Sequence, residues 1–251
     1  MNSNTRILML IILAIISSFI NRTLATIAEK RVLRMSKEFQ CKSGIMKSPL
    51  IIILLVFISA CSNNDTRLPI LGKAEVVGGE TVYPKIKPFL FKDQDGKNVT
   101  LETFKDKIYV ADFMFLSCPT ICPKMTAELK KVYAEFEQNE KVLLLSHTID
   151  PDHDSIPALK KYSETLKVKA NKWHFVTGNK KAIYSHAIES YFSTTYEDDS
   201  APGGYLHSGA LLLIDTQKQI RGVYDGTDSN ETKRLISDLK NLLVEEFKSK
   251  T

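Results

Sequence analysis

The stretch that most constrains the fold runs from Lys107 to Phe115 and leads directly into two cysteines, Cys118 and Cys122. It is mostly apolar and rich in β-branched and aromatic residues, which is typical of a central strand buried on both faces. After the second cysteine, apolar and charged residues alternate at helical spacing from Lys124 to Asn139. We therefore predict that the cysteines lie at a junction between a buried strand and a helix.

The rest of the chain alternates predicted strands and helices, which indicates an α/β sheet covered on both sides, with an N-terminal β-hairpin extension. Phe89 to Leu101 predicts two short strands around an Asp-Gly turn. A polar stretch with Gly and Pro, Phe192 to Leu206, predicts a surface loop. The other predicted strands are Lys141–Ile149, Trp173–Val176, Ala210–Asp215 and Arg221–Tyr224, and the other helices are Ser155–Leu166, Asn179–Tyr191 and Asn230–Phe247.

The positive charge of the chain is concentrated in its first 60 residues. The formal net charge is +5, and residues 1–60 contain eight Lys or Arg but only two Asp or Glu. The remainder carries 26 Lys or Arg against 27 Asp or Glu, so the predicted folded part is close to neutral. A nucleic-acid-binding function therefore loses its main support, and we expect no nucleic-acid partner.

Residues 46–60 have the three-part layout of a secretory signal. Met46 and Lys47 precede an apolar run from Pro49 to Ala60, whose small last residues lead into Cys61. This layout resembles a bacterial lipoprotein signal, in which the cysteine thiol is lipidated and becomes the new N-terminus. An uncleaved anchor is the alternative, although the run is shorter than the roughly 20 residues that a membrane-spanning helix needs.

These features divide the chain into four predicted parts. Residues 1–45 are an upstream extension or the result of a mis-assigned start, because Met46 begins a complete signal by itself. Residues 46–60 are the signal, residues 61–78 are the lipidated cysteine and a tether, and residues 79–251 are the folded domain. We expect this domain on the extracytoplasmic face of a membrane in a bacterial cell envelope, held there by its lipid.

Cys118 and Cys122 are the only cysteines of the predicted mature domain besides the lipidated one. Their i, i+4 spacing at a helix start brings both sulfurs to one side, close enough for a disulfide or for one metal ion. A helix N-terminus also favours the thiolate form. A purely structural disulfide is the alternative, but so short a loop gives a stabilisation at the low end, roughly 2 kcal/mol.

His207 is the histidine that we single out as a candidate ligand. It follows the Gly-containing stretch and precedes the predicted strand Ala210–Asp215, and loops at strand ends form the ligand crevice in sheets of this class. With Cys118 and Cys122 it gives a set of two thiolates and one imidazole, which fits Cu(I) and Cu(II) better than structural zinc with its four ligands. Packing, capping or surface roles are expected for the other histidines, His147, His153, His174 and His186.

Asp112 is a carboxylate inside the apolar stretch, six residues before Cys118. A buried carboxylate must be paired or protonated. Two roles remain open. Asp112 tunes the properties of the thiols without binding the metal itself, or it accepts hydrogen bonds from backbone donors.

These residues together resemble the Sco/SenC family of copper proteins, over the range from Pro84 to the C-terminus. The resemblance implies a thioredoxin-like α/β fold, with a central mixed sheet flanked by helices, and copper coordination by Cys118, Cys122 and His207. One departure is His153, where family members often carry Arg or Glu. The motifs that carry the resemblance are ADFMFLSCPTICPKM, SHTIDPDHDSIPALKKY, NKWHFVTG and YLHSGALLLID.

The resemblance also implies a function, which is assembly of the binuclear copper site of cytochrome c oxidase. The expected cofactor is one copper ion per domain, as Cu(I) or Cu(II). The expected partners are the copper-bearing subunit of the oxidase, thiol-disulfide reductants or other copper carriers, and a membrane through the lipid on Cys61.

Four rival functions would use the same cysteines. A thiol-disulfide reductase would reduce the oxidase cysteines before copper enters, so it stays open whether the protein is a metallochaperone alone or also an enzyme. A general thioredoxin-type reductase is disfavoured by the three-residue spacing and by Ser208 and Gly209, where such enzymes have a Pro. A peroxiredoxin-type peroxidase would use a single low-pKa cysteine with a Thr two or three residues before it, and Leu116 and Ser117 do not supply that Thr before Cys118. A copper or redox sensor remains open.

Overall fold

The computed structural model describes residues 67–193, 195–198 and 200–248. Cys61, the predicted signal and the residues upstream of it lie outside the described residues. Among the helices that are described, none has the length and apolar character needed to cross a membrane.

The described residues form a thioredoxin-like domain around a five-stranded mixed sheet. In chain order the elements are β1 (Glu75–Val77), β2 (Glu80–Val82), β3 (Phe91–Lys92), β4 (Asn98–Val99), β5 (Ile108–Met114), α1 (Ile121–Phe136), β6 (Val142–Thr148), α2 (Ile156–Leu166), β7 (Trp173–Val176), α3 (Lys180–Tyr191), β8 (Thr195–Glu197), β9 (Tyr205–His207), β10 (Ala210–Ile214), β11 (Ile220–Asp225) and α4 (Ser229–Leu243).

The central sheet has the strand order β11-β10-β5-β6-β7. β5, β6 and β7 run parallel, whereas β10 is antiparallel to both of its neighbours. Every residue of β5 and of β6 is buried, as expected of strands covered on both faces. Because parallel strands present their carboxyl ends at one edge, the segments that follow β5 and β6 meet there.

The helix after the cysteines starts three residues earlier than predicted. Its first residue is Ile121 rather than Lys124, so Cys122 and Pro123 both lie in the first turn. A proline is tolerated there because the first N–H groups of a helix have no intrahelical partner. The apolar face of α1, which includes Met125 and Leu129, is buried against the core.

The predicted loop from Phe192 to Leu206 contains a short antiparallel hairpin. β8 pairs with β9 over three positions, and Thr195 stands opposite His207. The hairpin forms a two-stranded sheet of its own, apart from the central one. Its strands are too short for their alternation to stand out in a polar sequence.

Part of the stretch predicted as a tether packs against the domain. Leu68 and Leu71 contact the core, and the Leu71 N–H donates to the carbonyl of Ile220 at 2.8 Å. The buried guanidinium of Arg221 donates to the Leu68 carbonyl at 2.5 Å and forms an ion pair with Asp215. Leu68 and Leu71 therefore pack against the folded domain.

Candidate metal centre

Cys118 and Cys122 lie at the junction of β5 and α1, as predicted, and both are buried as free thiols. Cys118 precedes the helix, and Cys122 is the second residue of α1. The backbone N–H of Cys122 donates to the Sγ of Cys118 at 3.5 Å. A sulfur therefore accepts one of the helix N–H groups that have no partner within the helix.

The two thiols differ in acidity. Burial opposes ionisation of Cys118, but hydrogen bonds from the backbone of Thr120 and from Cys122 outweigh it, so its pKa is lowered. Burial raises the pKa of Cys122, and the neighbouring Cys118 and Asp112 add to that effect. Cys118 is therefore the first thiolate to form.

His207 stands beside the thiols, at the end of β9. Its Nε2 lies 3.3 Å from the Sγ of Cys122, and its Nδ1 lies 3.1 Å from the carbonyl oxygen of Ser208. A carbonyl can only accept, so Nδ1 carries the proton and the lone pair of Nε2 faces the sulfur. Burial lowers the pKa of His207, which keeps the ring neutral.

Cys118, Cys122 and His207 form a cluster that can hold a metal ion. Their ligand atoms all lie within 4.8 Å of one another. Metal bonds of about 2.3 Å to thiolate and about 2.0 Å to imidazole require ligand atoms to be roughly 3–4.5 Å apart. Small side-chain movements therefore suffice for all three atoms to bind one ion.

The loop between β8 and β9 packs closely against the cysteine segment. Gly203 has a φ of +85°, and a Cβ at this position would lie 2.8 Å from the ring of Phe115 and 3.2 Å from Pro119. The Phe115 ring also contacts the His207 ring edge-on, with 5.9 Å between centroids. Glycine at position 203 therefore allows the close approach that brings His207 to the thiols.

Asp112 is buried in β5 and is bonded to a side chain rather than to backbone donors. Its Oδ1 accepts from the Ser146 hydroxyl at 2.5 Å, and that hydroxyl accepts from Trp173 Nε1 at 2.9 Å. Burial raises the pKa of Asp112 to about 7, against the opposing effect of Ser146. Asp112 does not join the three-residue cluster, but its negative charge contributes to raising the pKa of Cys122.

Capping is one of the roles expected for His153, which lies in the loop from Asp150 to Asp154. Ser155 caps α2 instead, through a bond from the Ala158 N–H. The carboxylates of Asp150 and Asp154 point to other segments of the site and were not singled out from the sequence. The only sequence signal for them is two acidic residues at the end of a buried strand.

The remaining histidines do not join the cluster. His147 and His186 are buried among aromatic rings, and burial lowers their pKa values to about 3 and about 4. His174 is buried beside Asp93, 3.2 Å from its carboxylate. His153 is exposed and bonded to Asp150. These placements agree with packing and surface roles.

A family model and a known protein each match most of this chain. The SCO1/SenC family model matches residues 79–244. The SCO1 protein homolog of Bacillus subtilis (strain 168) is 30% identical over 194 residues, which are 75% of this chain and 92% of that relative.

Two solved structures are similar in fold and sequence. One is a SCO1/SenC family lipoprotein from Bacillus anthracis str. Ames, with a TM-score of 0.59 and 28% identity, covering 68% of this chain and 98% of that one. The other is a member of the Sco family of cytochrome c oxidase assembly proteins in which a disulfide switch was identified. It has a TM-score of 0.56 and 29% identity, covering 63% of this chain and 93% of that one.

Proposed function

The chain belongs to the SCO1/SenC family, and from this premise we propose that it is a copper chaperone for cytochrome c oxidase. It binds one Cu(I) or Cu(II) ion through Cys118, Cys122 and His207, and it delivers the ion to, or prepares, the binuclear copper site of the oxidase. The observation that carries the proposal is the convergence of two thiols and one imidazole within 4.8 Å. The similarity to an oxidase assembly protein supports the choice of recipient.

The donor set suits copper as the cargo. Thiolates are soft ligands that favour Cu(I), and the imidazole extends the site to Cu(II). Structural zinc sites use four protein ligands, whereas the described residues supply three. The thiolate of Cys118 is the natural first ligand because its pKa is lowered. Cys122 then loses its proton as it binds, so uptake releases protons and strengthens as pH rises.

Release of the copper ion to the recipient also depends on there being three protein ligands. With three protein atoms on the ion, one position stays open to a ligand from the recipient. A thiolate of the recipient enters there and displaces one cysteine, further recipient ligands displace the other cysteine and then His207, and each cysteine thiolate takes back a proton. No electron is transferred, and the ion keeps its charge.

A second candidate, reduction of the recipient's disulfide, is favoured by the difference between the two thiols. The lowered pKa of Cys118 makes it the attacking thiolate, and the raised pKa of Cys122 makes it the resolving thiol. The thiolate attacks one sulfur of the substrate disulfide, and Cys122 then closes the Cys118–Cys122 disulfide. Two electrons pass to the recipient, which leaves as a dithiol.

The proposal also includes a lipid anchor that holds the chain at a membrane. A family lipoprotein among the similar structures supports residues 46–60 as a lipoprotein signal and Cys61 as the lipidated residue. The site would then work at the extracytoplasmic face of a membrane.

Copper transfer tests the proposed function. The copper-loaded full chain is mixed with the metal-free copper-bearing subunit of the oxidase, the two are separated, and the copper in each is measured. We expect the recipient to gain the copper that the chain loses. When a Cys118→Ser variant is mixed with the same amount of copper, the recipient should gain no more copper than it gains from free copper ions alone.

Retention of copper by the wild-type chain would contradict the proposal. If the metal-free dithiol instead raises the number of free thiols on an oxidised recipient, the reductase function takes its place. Ser117→Ala is the matched control, since it changes an exposed neighbour of Cys118 and should transfer copper as the wild type does.

A further inference from the structure

The loop Asp150–Asp154, here called the acidic loop, joins β6 to α2 and contacts the cysteine segment through its last residue. The Oδ2 of Asp154 accepts from the backbone N–H of Leu116 at 3.1 Å and from the Thr148 hydroxyl at 2.5 Å. Leu116 is two residues before Cys118. One end of the acidic loop therefore holds the backbone that leads into the thiols.

The first residue of the acidic loop contacts the hairpin that carries the imidazole. Asp150 is buried, and its Oδ1 accepts from the hydroxyl of Tyr205 at 2.9 Å. The Nδ1 of His153 lies 2.9 Å from both oxygens of the same carboxylate. The hydrogen bond from Tyr205 therefore links β9 to the loop that also holds the cysteine segment.

Tyr205 and His207 are close neighbours on β9. They are two residues apart in a strand, so their side chains project to the same face. Both rings contact the ring of Phe115, with centroid distances of 5.1 Å for Tyr205 and 5.9 Å for His207. A shift of the Tyr205 ring is therefore transmitted to the imidazole.

The hairpin itself gives little support to the position of His207. β8 and β9 pair over three positions and belong to no larger sheet. Isolated two-stranded hairpins are marginally stable. Contacts from outside the hairpin must therefore fix the imidazole, and the hydrogen bond from Tyr205 to Asp150 is a directional contact of this kind.

We propose that Tyr205 is a positioning residue for the copper site: its hydrogen bond to Asp150 sets where His207 Nε2 stands relative to the sulfurs of Cys118 and Cys122. This inference rests on the proposed function, because it assumes that His207 is a copper ligand. The acidic loop is then the common support of both halves of the site, with Asp154 on the thiol side and Asp150 on the imidazole side.

The test is a double-mutant cycle of Tyr205→Phe and His207→Ala in the reduced full chain. Cu(II) affinity is measured by competition with a chelator, because an imidazole matters more for Cu(II) than for Cu(I). We expect Tyr205→Phe to weaken binding about tenfold in the wild-type background, the usual size of an effect on groups that orient a ligand. In the His207→Ala background it should change the affinity less than twofold.

Tyr224→Phe is the matched control. It also removes a tyrosine hydroxyl that donates to an aspartate, Asp238 at 2.9 Å, but on the helix α4 side of the domain. It should leave the copper affinity unchanged. Thermal melting of each variant shows that it is folded before copper is added.

Each remaining outcome overturns the inference. An equal loss from Tyr205→Phe in both backgrounds would mean a general structural role, and no loss in the wild-type background would mean that the hydrogen bond does not position the imidazole. In both cases His207→Ala still weakens binding, so the proposed function stands. If His207→Ala binds copper as tightly as the wild type, the proposed ligand set itself is wrong.

Discussion

Serine in place of either Cys118 or Cys122 is expected to weaken Cu(I) binding about a hundredfold or more. Metal binding to four-ligand protein sites is worth about 10–16 kcal/mol, or roughly 3 kcal/mol per ligand, and each 1.4 kcal/mol is a factor of ten. A hydroxyl replaces neither the softness nor the negative charge of a thiolate. The measurement is a titration of the reduced chain with Cu(I) in competition with a chelator.

The two serine variants should also differ in how their binding depends on pH. Cys118 is the more acidic thiol, so a chain that keeps only Cys118 binds copper at lower pH than a chain that keeps only Cys122. Equal affinity of both variants and the wild type would contradict the account. Ser117→Ala serves again as the neighbouring control and should bind as the wild type does.

A chain with asparagine in place of Asp112 is expected to gain stability relative to the wild type as pH rises. Burial raises the pKa of Asp112 to about 7 in the folded chain, against about 3.9 in an unfolded chain. Between these values the unfolded state loses its proton while the folded state keeps it, so the wild type loses stability as pH rises. At 1.36 kcal/mol per pKa unit, the loss is about 2–4 kcal/mol by pH 8.

The Asp112→Asn side chain does not titrate, and it keeps an oxygen that can accept from Ser146. Urea unfolding of the metal-free chain at pH 4 and pH 8 should therefore show the variant gaining about 2–4 kcal/mol relative to the wild type between the two conditions. A difference that does not change with pH would show that Asp112 is ionised in the folded chain.

Asp95→Asn is the control for Asp112→Asn. A hydrogen bond from Lys160 lowers the pKa of this partly exposed carboxyl. Ionised Asp95 therefore stabilises the fold above its unfolded pKa, and its replacement should give a small change with pH of the opposite sign.

The strands and helices were predictable from sequence where burial alone decides them. Trp173–Val176 has the predicted bounds, and the fully buried strand Ile108–Met114 lies inside the predicted one. The helix α1 starts before the predicted Lys124, because the alternation of apolar and charged residues does not reveal the first turn, in which Pro123 is tolerated. The hairpin of β9 was missed because its polar strands of three residues leave no periodic signal.

The three residues of the candidate metal centre were predictable to different degrees. The strand and helix patterns on either side place Cys118 and Cys122 at a helix start, and their i, i+4 spacing brings the two sulfurs to one side. The approach of His207 to Cys122 joins residues 85 positions apart, and it was inferred chiefly from the family resemblance. The hydrogen bond between Tyr205 and Asp150 joins residues 55 positions apart. Nothing in the local sequence near either residue indicates such a pairing, because it depends on how the hairpin packs against the sheet edge.

The most direct test of the central claim is X-ray absorption at the copper edge, on the copper-loaded wild type and on His207→Ala. We expect two sulfur neighbours and one imidazole nitrogen around copper in the wild type. In the variant the imidazole signal should be lost and both sulfurs should remain. A wild-type spectrum without two sulfurs, or an imidazole signal that survives in His207→Ala, would contradict a site built from Cys118, Cys122 and His207.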